Sequence, residues 1–214
     1  MFLSNLLLSK ELILQVTAWI VNIFFFSGLV FQGLHSFRIK CGRGLSDLTL
    51  LGYFNGYISY LYYVFCLNLP FAYRIMLPLS MVTLLVMLAQ RFFYAEWCRR
   101  DKKMFLLYIF NGLIAMLILP YAFRHPWFVG NLAGCVGIMI WAIYQIPQVF
   151  KIHLNKSVVG FSFLLVSMVG FGDTLELLVA ISLGMPWQTI INDMRGILIY
   201  SIFCVQFWLY RTKS

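Results

Sequence analysis

The sequence predicts an all-α integral membrane protein of seven transmembrane helices, built as two parallel three-helix-bundle repeats joined by a linker helix, a 3+1+3 arrangement. Three observations carry this expectation. Of 214 residues, 62% are hydrophobic and only 11% charged, against about 25% charged in a soluble domain. Apolar runs long enough to cross a bilayer recur along the chain. The residues that close the first run and open the second also recur around the fifth and sixth.

A chain with so few charges cannot cover its apolar surface in water, so lipid must serve as its solvent. Since a span needs roughly 20 mainly apolar residues, the runs are placed at about 12–36, 48–67, 73–95, 104–122, 127–150, 160–183 and 191–210. The breaks between them carry turn chemistry or charge: Cys41-Gly42-Arg43-Gly44, Asn68-Leu69-Pro70, Arg99 to Lys103, His125-Pro126, Asn155-Lys156-Ser157 and Gly184-Met185-Pro186.

Lysine and arginine divide unevenly between alternate loops. Eleven fall on one side (Arg38, Lys40, Arg43, Arg99, Arg100, Lys102, Lys103, Lys151, Lys156, Arg211 and Lys213) and four on the other (Lys10, Arg74, Arg124 and Arg195). The positive-inside rule makes the first side cytosolic, with the N-terminus outside or lumenal and the C-terminus in the cytosol. Arg91, inside the third run, is expected to snorkel to the cytosolic headgroups. The net charge of +9 is therefore explained by topology, and a nucleic-acid partner is excluded. Five cysteines (Cys41, Cys66, Cys98, Cys135 and Cys204) show no CxxC and no zinc-like spacing, and are read as structural. No positive segment precedes the first run, so it is not read as a signal peptide. A bacterial inner membrane and a eukaryotic endomembrane both fit.

The internal repeat sets Gln32-Gly33-Leu34-His35-Ser36-Phe37-Arg38-Ile39 over Gln145-Ile146-Pro147-Gln148-Val149-Phe150-Lys151-Ile152. Beyond the loop, Gly44-Leu45-Ser46 falls on Gly160-Phe161-Ser162, which makes the first loop three residues shorter than the second. Spans one to three thus map onto five to seven, and the odd linker keeps the repeats parallel. Carriers built from repeats hold their solute near the midplane, where the repeats meet.

Tyr144-Gln145-Ile146-Pro147-Gln148, followed by Lys156-Ser157 and Gly160-Phe161-Ser162, resembles the signature of the PQ-loop superfamily, which includes cystinosin, the lysosomal cationic amino-acid exporters and the SWEET sugar carriers. The literal Pro-Gln pair, and the terminal Gln206-Phe207-Trp208-Leu209-Tyr210-Arg211, look closer to the amino-acid-exporting branch. The resemblance implies two bundles, residues 1–103 and 124–214, joined by a fourth helix over 104–123, and alternating access to a solute held between them. In the first repeat Leu34-His35 stands where Pro-Gln would be, so Pro147 is expected to be an unmatched hinge.

Pro147 also has a rationale of its own. A proline inside a helix removes one backbone hydrogen bond and clashes with the preceding turn, which kinks the helix. A kink near the cytosolic end of the fifth span makes Pro147, Gln148, Gln32 and His35 the gating candidates. Asp173 and Glu176 lie mid-span on one face of the sixth helix. Carboxylates in hydrocarbon are costly and face cavities, so this pair is assigned to solute binding and proton coupling. Asp193, read as opening the seventh helix on the outer side, is a third proton-coupling candidate. The repeat mates of Asp173 and Glu176 are Tyr57 and Tyr60, which with Asn55 offer an uncharged polar wall. Trp141 and Tyr144, one turn above Pro147, complete the binding set.

No nucleophile–base pair, metal cluster or phosphate loop is present in the sequence, so no catalytic residue, metal or cofactor is assigned and an enzyme is not expected. The expected function is a secondary carrier of an amino acid or related zwitterion, with protons as the candidate coupling ion. A sugar or vitamin facilitator and a non-transporting receptor or scaffold stay open as alternatives. The partners are the solute, protons and membrane lipid; a monomer suffices and the oligomeric state is left open.

Overall fold

The computed structural model describes residues 2–40, 45–94 and 99–210. Cys41, the Gly42-Arg43-Gly44 turn, Cys98 and Arg211 lie outside the described residues. The described residues form helices alone: α1 (Phe2–Ile39), α2 (Asp47–Cys66), α3 (Phe71–Phe93), α4 (Arg99–Arg124), α5 (Pro126–Ile143), α6 (Ile146–Asn155), α7 (Phe163–Leu183) and α8 (Trp187–Tyr210). The fifth and sixth segments are the two halves of one broken apolar element, Pro126–Asn155. Six elements are long and apolar enough to cross a membrane by length and composition. The exception is α2, whose five tyrosines, Tyr53, Tyr57, Tyr60, Tyr62 and Tyr63, dilute its apolar character.

The helix ends follow local chemistry. Ser46 and Ser162 are extended N-cap residues whose hydroxyls accept from the backbone N–H groups of Thr49 and Leu165, at 3.0 and 3.3 Å. Such caps satisfy donors that have no partner in the first turn. Lys40, Asn68, Lys156 and Gly184 leave their helices with φ of 47°, 54°, 47° and 62°, the left-handed turn that ends many helices. Pro70 and Pro186 follow two residues after Asn68 and Gly184.

These landmarks repeat at one constant separation of 116 residues: 156 minus 40, 162 minus 46, 184 minus 68 and 186 minus 70. The register expected before the loop is therefore corrected. Gln32 corresponds to Gln148, not to Gln145, and the loops are equal in length. Phe31-Gln32 stands where the second repeat has Pro147-Gln148, and His35 is not the mate of Gln148. The shifted match arose because Gln, Phe, a cation and Ile happen to recur three residues out of phase, whereas helix ends fix the true register.

Helix packing follows the same exchange. α3 packs on α1 and α2, α8 packs on α7 and α5, α1 lies along α7, and α2 along α5. Swapping α1 with α5–α6, α2 with α7 and α3 with α8 leaves that set unchanged. The long contacts between halves need small residues. A Cβ on Gly56 would lie 1.9 Å from Nε1 of Trp141, and one on Gly172 would lie 2.7 Å from the Phe25 ring. α4 rests against α2 and α5, with most of its large apolar side chains on the outside, as lipid contact requires.

Arg91 does not snorkel. It is buried and pairs with Asp47, its Nη2 2.9 Å from Oδ1. The acid that opens α2 offers a closer partner than the headgroups. At the same two places 116 residues later stand Phe163 and Phe207, whose rings meet edge to face with centroids 5.3 Å apart. One half is tied there by an ion pair and the other by an aromatic pair.

Candidate functional site

Between the halves lies a central cavity of about 40 Å³. Along α2 it spans Tyr53 to Tyr60; along α7 it spans Val169 to Glu176. α3 contributes Tyr73 and Ser80, α1 Asn22, α5 Trp141 and Tyr144, and α8 Asn192 and Tyr200. One water needs roughly 10–15 Å³ of accessible volume, so the cavity in this conformation admits a few waters and no solute of amino-acid or sugar size.

One wall is acidic. Asp173, Glu176 and Asp193 are all buried, at 2%, 2% and 0% exposure. One carboxylate oxygen from each lies within 4.8 Å of the others. Asp193 therefore does not open α8 on the outer side. The helix begins at Trp187, which carries Asp193 a full turn further into the protein. Among the described residues, neither oxygen of Asp193 has a hydrogen-bond partner, nor has Oδ2 of Asp173 or Oε1 of Glu176. Three carboxyl groups at that separation in hydrocarbon cannot all stay ionised without a compensating positive charge. Protons, a solute ammonium or a hard cation could each supply it; oxygen ligands suit the last.

The facing wall is aromatic and neutral. Tyr57 and Tyr60 lie 5.6 and 5.8 Å from the Trp141 ring. Tyr53 meets Tyr144 edge to face at 4.5 Å, and its hydroxyl lies 3.3 Å from that of Tyr200. Asn55 is not part of this wall. It points into a separate groove between α2, α4 and α5, with Ser59, Tyr62 and Asn111, because two residues along a helix turn a side chain through about 200°.

The break in the fifth span falls at Tyr144-Gln145, one turn before Pro147. Proline has no N–H to return to the turn before it. Gln145 in turn no longer bonds Trp141. The Trp141 carbonyl accepts instead from Nη1 of Arg195 at 2.7 Å. The same Nη1 donates to Oε1 of Gln145 at 3.0 Å, and Nη2 donates to Oδ1 of Asn192 at 3.1 Å. Nε2 of Gln145 donates to the hydroxyls of Tyr144 and Tyr200. Arg195 is thus no loop residue, as the loop charge tally assumed. It lies inside α8, with its guanidinium 5.8 and 5.9 Å from the Trp141 and Tyr144 rings.

At one end of the cavity two bonds cross between the halves. The backbone N–H of Ser46 donates to Oε1 of Gln148 at 2.8 Å. The backbone N–H of Ser162 donates to Oε1 of Gln32, also at 2.8 Å. Both pairs are related by the same 116-residue shift (148 minus 32, 162 minus 46). Nε2 of Gln32 further donates to the carbonyl of Gly160 at 3.0 Å and to the Ser36 hydroxyl at 3.2 Å. His35 takes no part in either bond and is half-buried on the last turn of α1. At the opposite end the Tyr63 hydroxyl meets that of Thr189 at 3.0 Å, joining α2 to α8.

Of the residues singled out in the sequence, Tyr57, Tyr60, Trp141, Tyr144, Asp173 and Glu176 share the cavity, with Asp193 beside it. Gln32 and Gln148 meet the opposite halves, Pro147 sits at the break, and Asn55 and His35 stand apart. Arg195, Gln145, Tyr53, Tyr73 and Tyr200 were not expected. Arg195 carried a legible signal: a cation inside an apolar run, to which the argument used for Asp173 applies equally. Residues 129–189 match the family model described as the PQ loop repeat. No curated protein matches the chain.

Proposed function

We propose, from the premise that the chain is a multi-pass membrane protein of the PQ-loop family, that it is a secondary carrier working by alternating access. Its solute is an amino acid or related zwitterion, and protons are the coupling ion. The observation that carries this reading is the cavity itself, bridged by hydrogen bonds towards both ends and walled by acid on one side and phenols on the other. A solute ammonium would neutralise the acidic wall, and Tyr57 and Tyr60 would hydrogen-bond a solute carboxylate. Residues 1–103 and 124–214 act as the two moving halves, with 104–123 as linker, and one chain suffices. Gln32 and Gln148 form the gate at the end read as cytosolic, with Pro147 as its hinge.

The test is counterflow of labelled amino acids and sugars in proteoliposomes, with and without a pH gradient. Amino-acid exchange driven by the gradient is expected, and at least one of Asp173→Asn, Glu176→Gln and Asp193→Asn should abolish the drive while leaving exchange. Sugar flux indifferent to pH in all three variants refutes the reading. Ser157→Cys should react only from the cytosolic side; labelling from outside intact cells reverses the gate assignment.

A further inference from the structure

Arg195 is a full positive charge inside the helical bundle, yet it pairs with no carboxylate among the described residues. Its three hydrogen bonds go to neutral oxygens: the Trp141 carbonyl, Gln145 and Asn192. Its Nε is buried without a partner. The Trp141 carbonyl is open only because the fifth span breaks, so the guanidinium fills the gap that the break creates. Through Gln145 it also fixes the Tyr144 and Tyr200 hydroxyls, which line the cavity.

The same turn of α8 borders the acidic wall. Asp193 is two residues before Arg195 and Gly196 is one after it. A Cβ on Gly196 would lie 2.2 Å from Oδ2 of Asp173, so this glycine is what lets the Asp173 carboxyl reach α8. The groups that face this turn are Asp173 and Glu176 from α7, Asp193 from α8 itself, and the phenols Tyr53, Tyr57, Tyr60 and Tyr63 of α2, Tyr73 of α3, Tyr144 beside α5 and Tyr200 of α8. Only the three carboxyls among these change charge at ordinary pH.

We propose that Arg195 is a positioning residue that holds the break of the fifth span and relays to it the charge of Asp173, Glu176 and Asp193. With the carboxyls protonated, the guanidinium stays on the Trp141 carbonyl and the break is fixed in the conformation that closes the Gln148–Ser46 bond. When they ionise, a charge-assisted bond to a carboxylate outcompetes one to a carbonyl, Arg195 moves across, and α6 is free to swing. Protonation and closure then favour one another reciprocally, as linkage requires. This inference rests on the carrier reading for its purpose but not for its test.

The experiment places spin labels at Lys40→Cys and Lys156→Cys, both exposed at the ends of α1 and α6, in the full chain free of native cysteines and held in nanodiscs. Distance distributions are recorded at about pH 5.5 and about pH 9.5, on either side of the range in which carboxyls raised by about 3–5 units titrate. The ratio of open to closed populations should rise about fivefold or more with pH, the lower range of typical coupling. Arg195→Gln should hold that ratio within about twofold across pH, and Arg195→Lys should restore part of the response because it keeps the charge. Gln145→Ala, which removes one of the bonds without touching the charge, should shift the ratio toward open at both pH values. An unresponsive wild-type ratio, or a wild-type response in a monodisperse Arg195→Gln variant, overturns the proposal. Absence of flux with every solute, alongside the expected distances, instead overturns the carrier reading alone.

Discussion

Removing the two crossing glutamines should weaken the same end of the protein by unequal amounts, and the structure says which is larger. In Gln148→Ala the Ser46 N–H loses its acceptor. Ser46 is only half-buried, so water can replace the lost partner, and the closed state should weaken by about 1 kcal/mol, the low end for an orphaned donor. In Gln32→Ala the Ser162 N–H is orphaned where Ser162 is 5% exposed, so water cannot replace the lost partner. That should come to about 2–3 kcal/mol. Since 1.4 kcal/mol is a factor of ten, opening should become about fivefold more frequent in the first variant and about 30- to 150-fold in the second. A cysteine at Ser80, which lines the cavity and is 4% exposed, reports this through its rate of reaction with a small charged thiol reagent. A larger acceleration from Gln148→Ala than from Gln32→Ala, or less than about twofold from either, would refute the burial argument.

Other consequences are as direct. Gly56→Ala forces a methyl group to 1.9 Å from Trp141 and should cost about 1–3 kcal/mol, seen as a lowered Tm in detergent; Gly112→Ala, with its nearest neighbour at 4.0 Å, should raise stability by about 0.5–1 kcal/mol. Arg91→Met removes the guanidinium that lies 2.9 Å from the half-buried Asp47 carboxylate and should cost about 1–3 kcal/mol. The double change Asp47→Phe with Arg91→Phe, copying the pair at Phe163 and Phe207, should recover most of that Tm loss. Pro147→Ala returns a donor to the preceding turn and should slow counterflow more than it weakens binding; Phe31→Ala, at the matching position, should change neither by more than about twofold.

The apolar runs, the breaks between them and the Pro147 kink were legible because each has a local cause: lipid solvation, turn residues and a missing N–H. The acidic wall was legible for the same reason, since Asp173 and Glu176 are anomalous wherever a span surrounds them. What misled was register. A match of four residues before the first loop shifted the repeat by three and paired His35 with Gln148, while the caps and left-handed turns that fix the alignment are properties of backbone geometry. A boundary error of four residues at the start of α8 had the larger effect. It left Asp193 and Arg195 near the surface, so that Asp193 read as a proton-coupling residue at the outer end of the helix and Arg195 as a loop charge, neither as part of the central cavity. Asn55 failed differently, because facing direction depends on which neighbour fills each side of α2.

The crossing glutamines also bear on leakage. A contact of about 1.4 kcal/mol, between the strengths given for the two glutamines, is open roughly a tenth of the time. Were the two bonds to open independently, both would be open together only about one time in a hundred, because their probabilities multiply. A seal of that quality from one contact would need twice the strength and would release correspondingly slowly. Two modest contacts, each with its donor in one half and its acceptor in the other, keep the end tight while leaving every individual step fast.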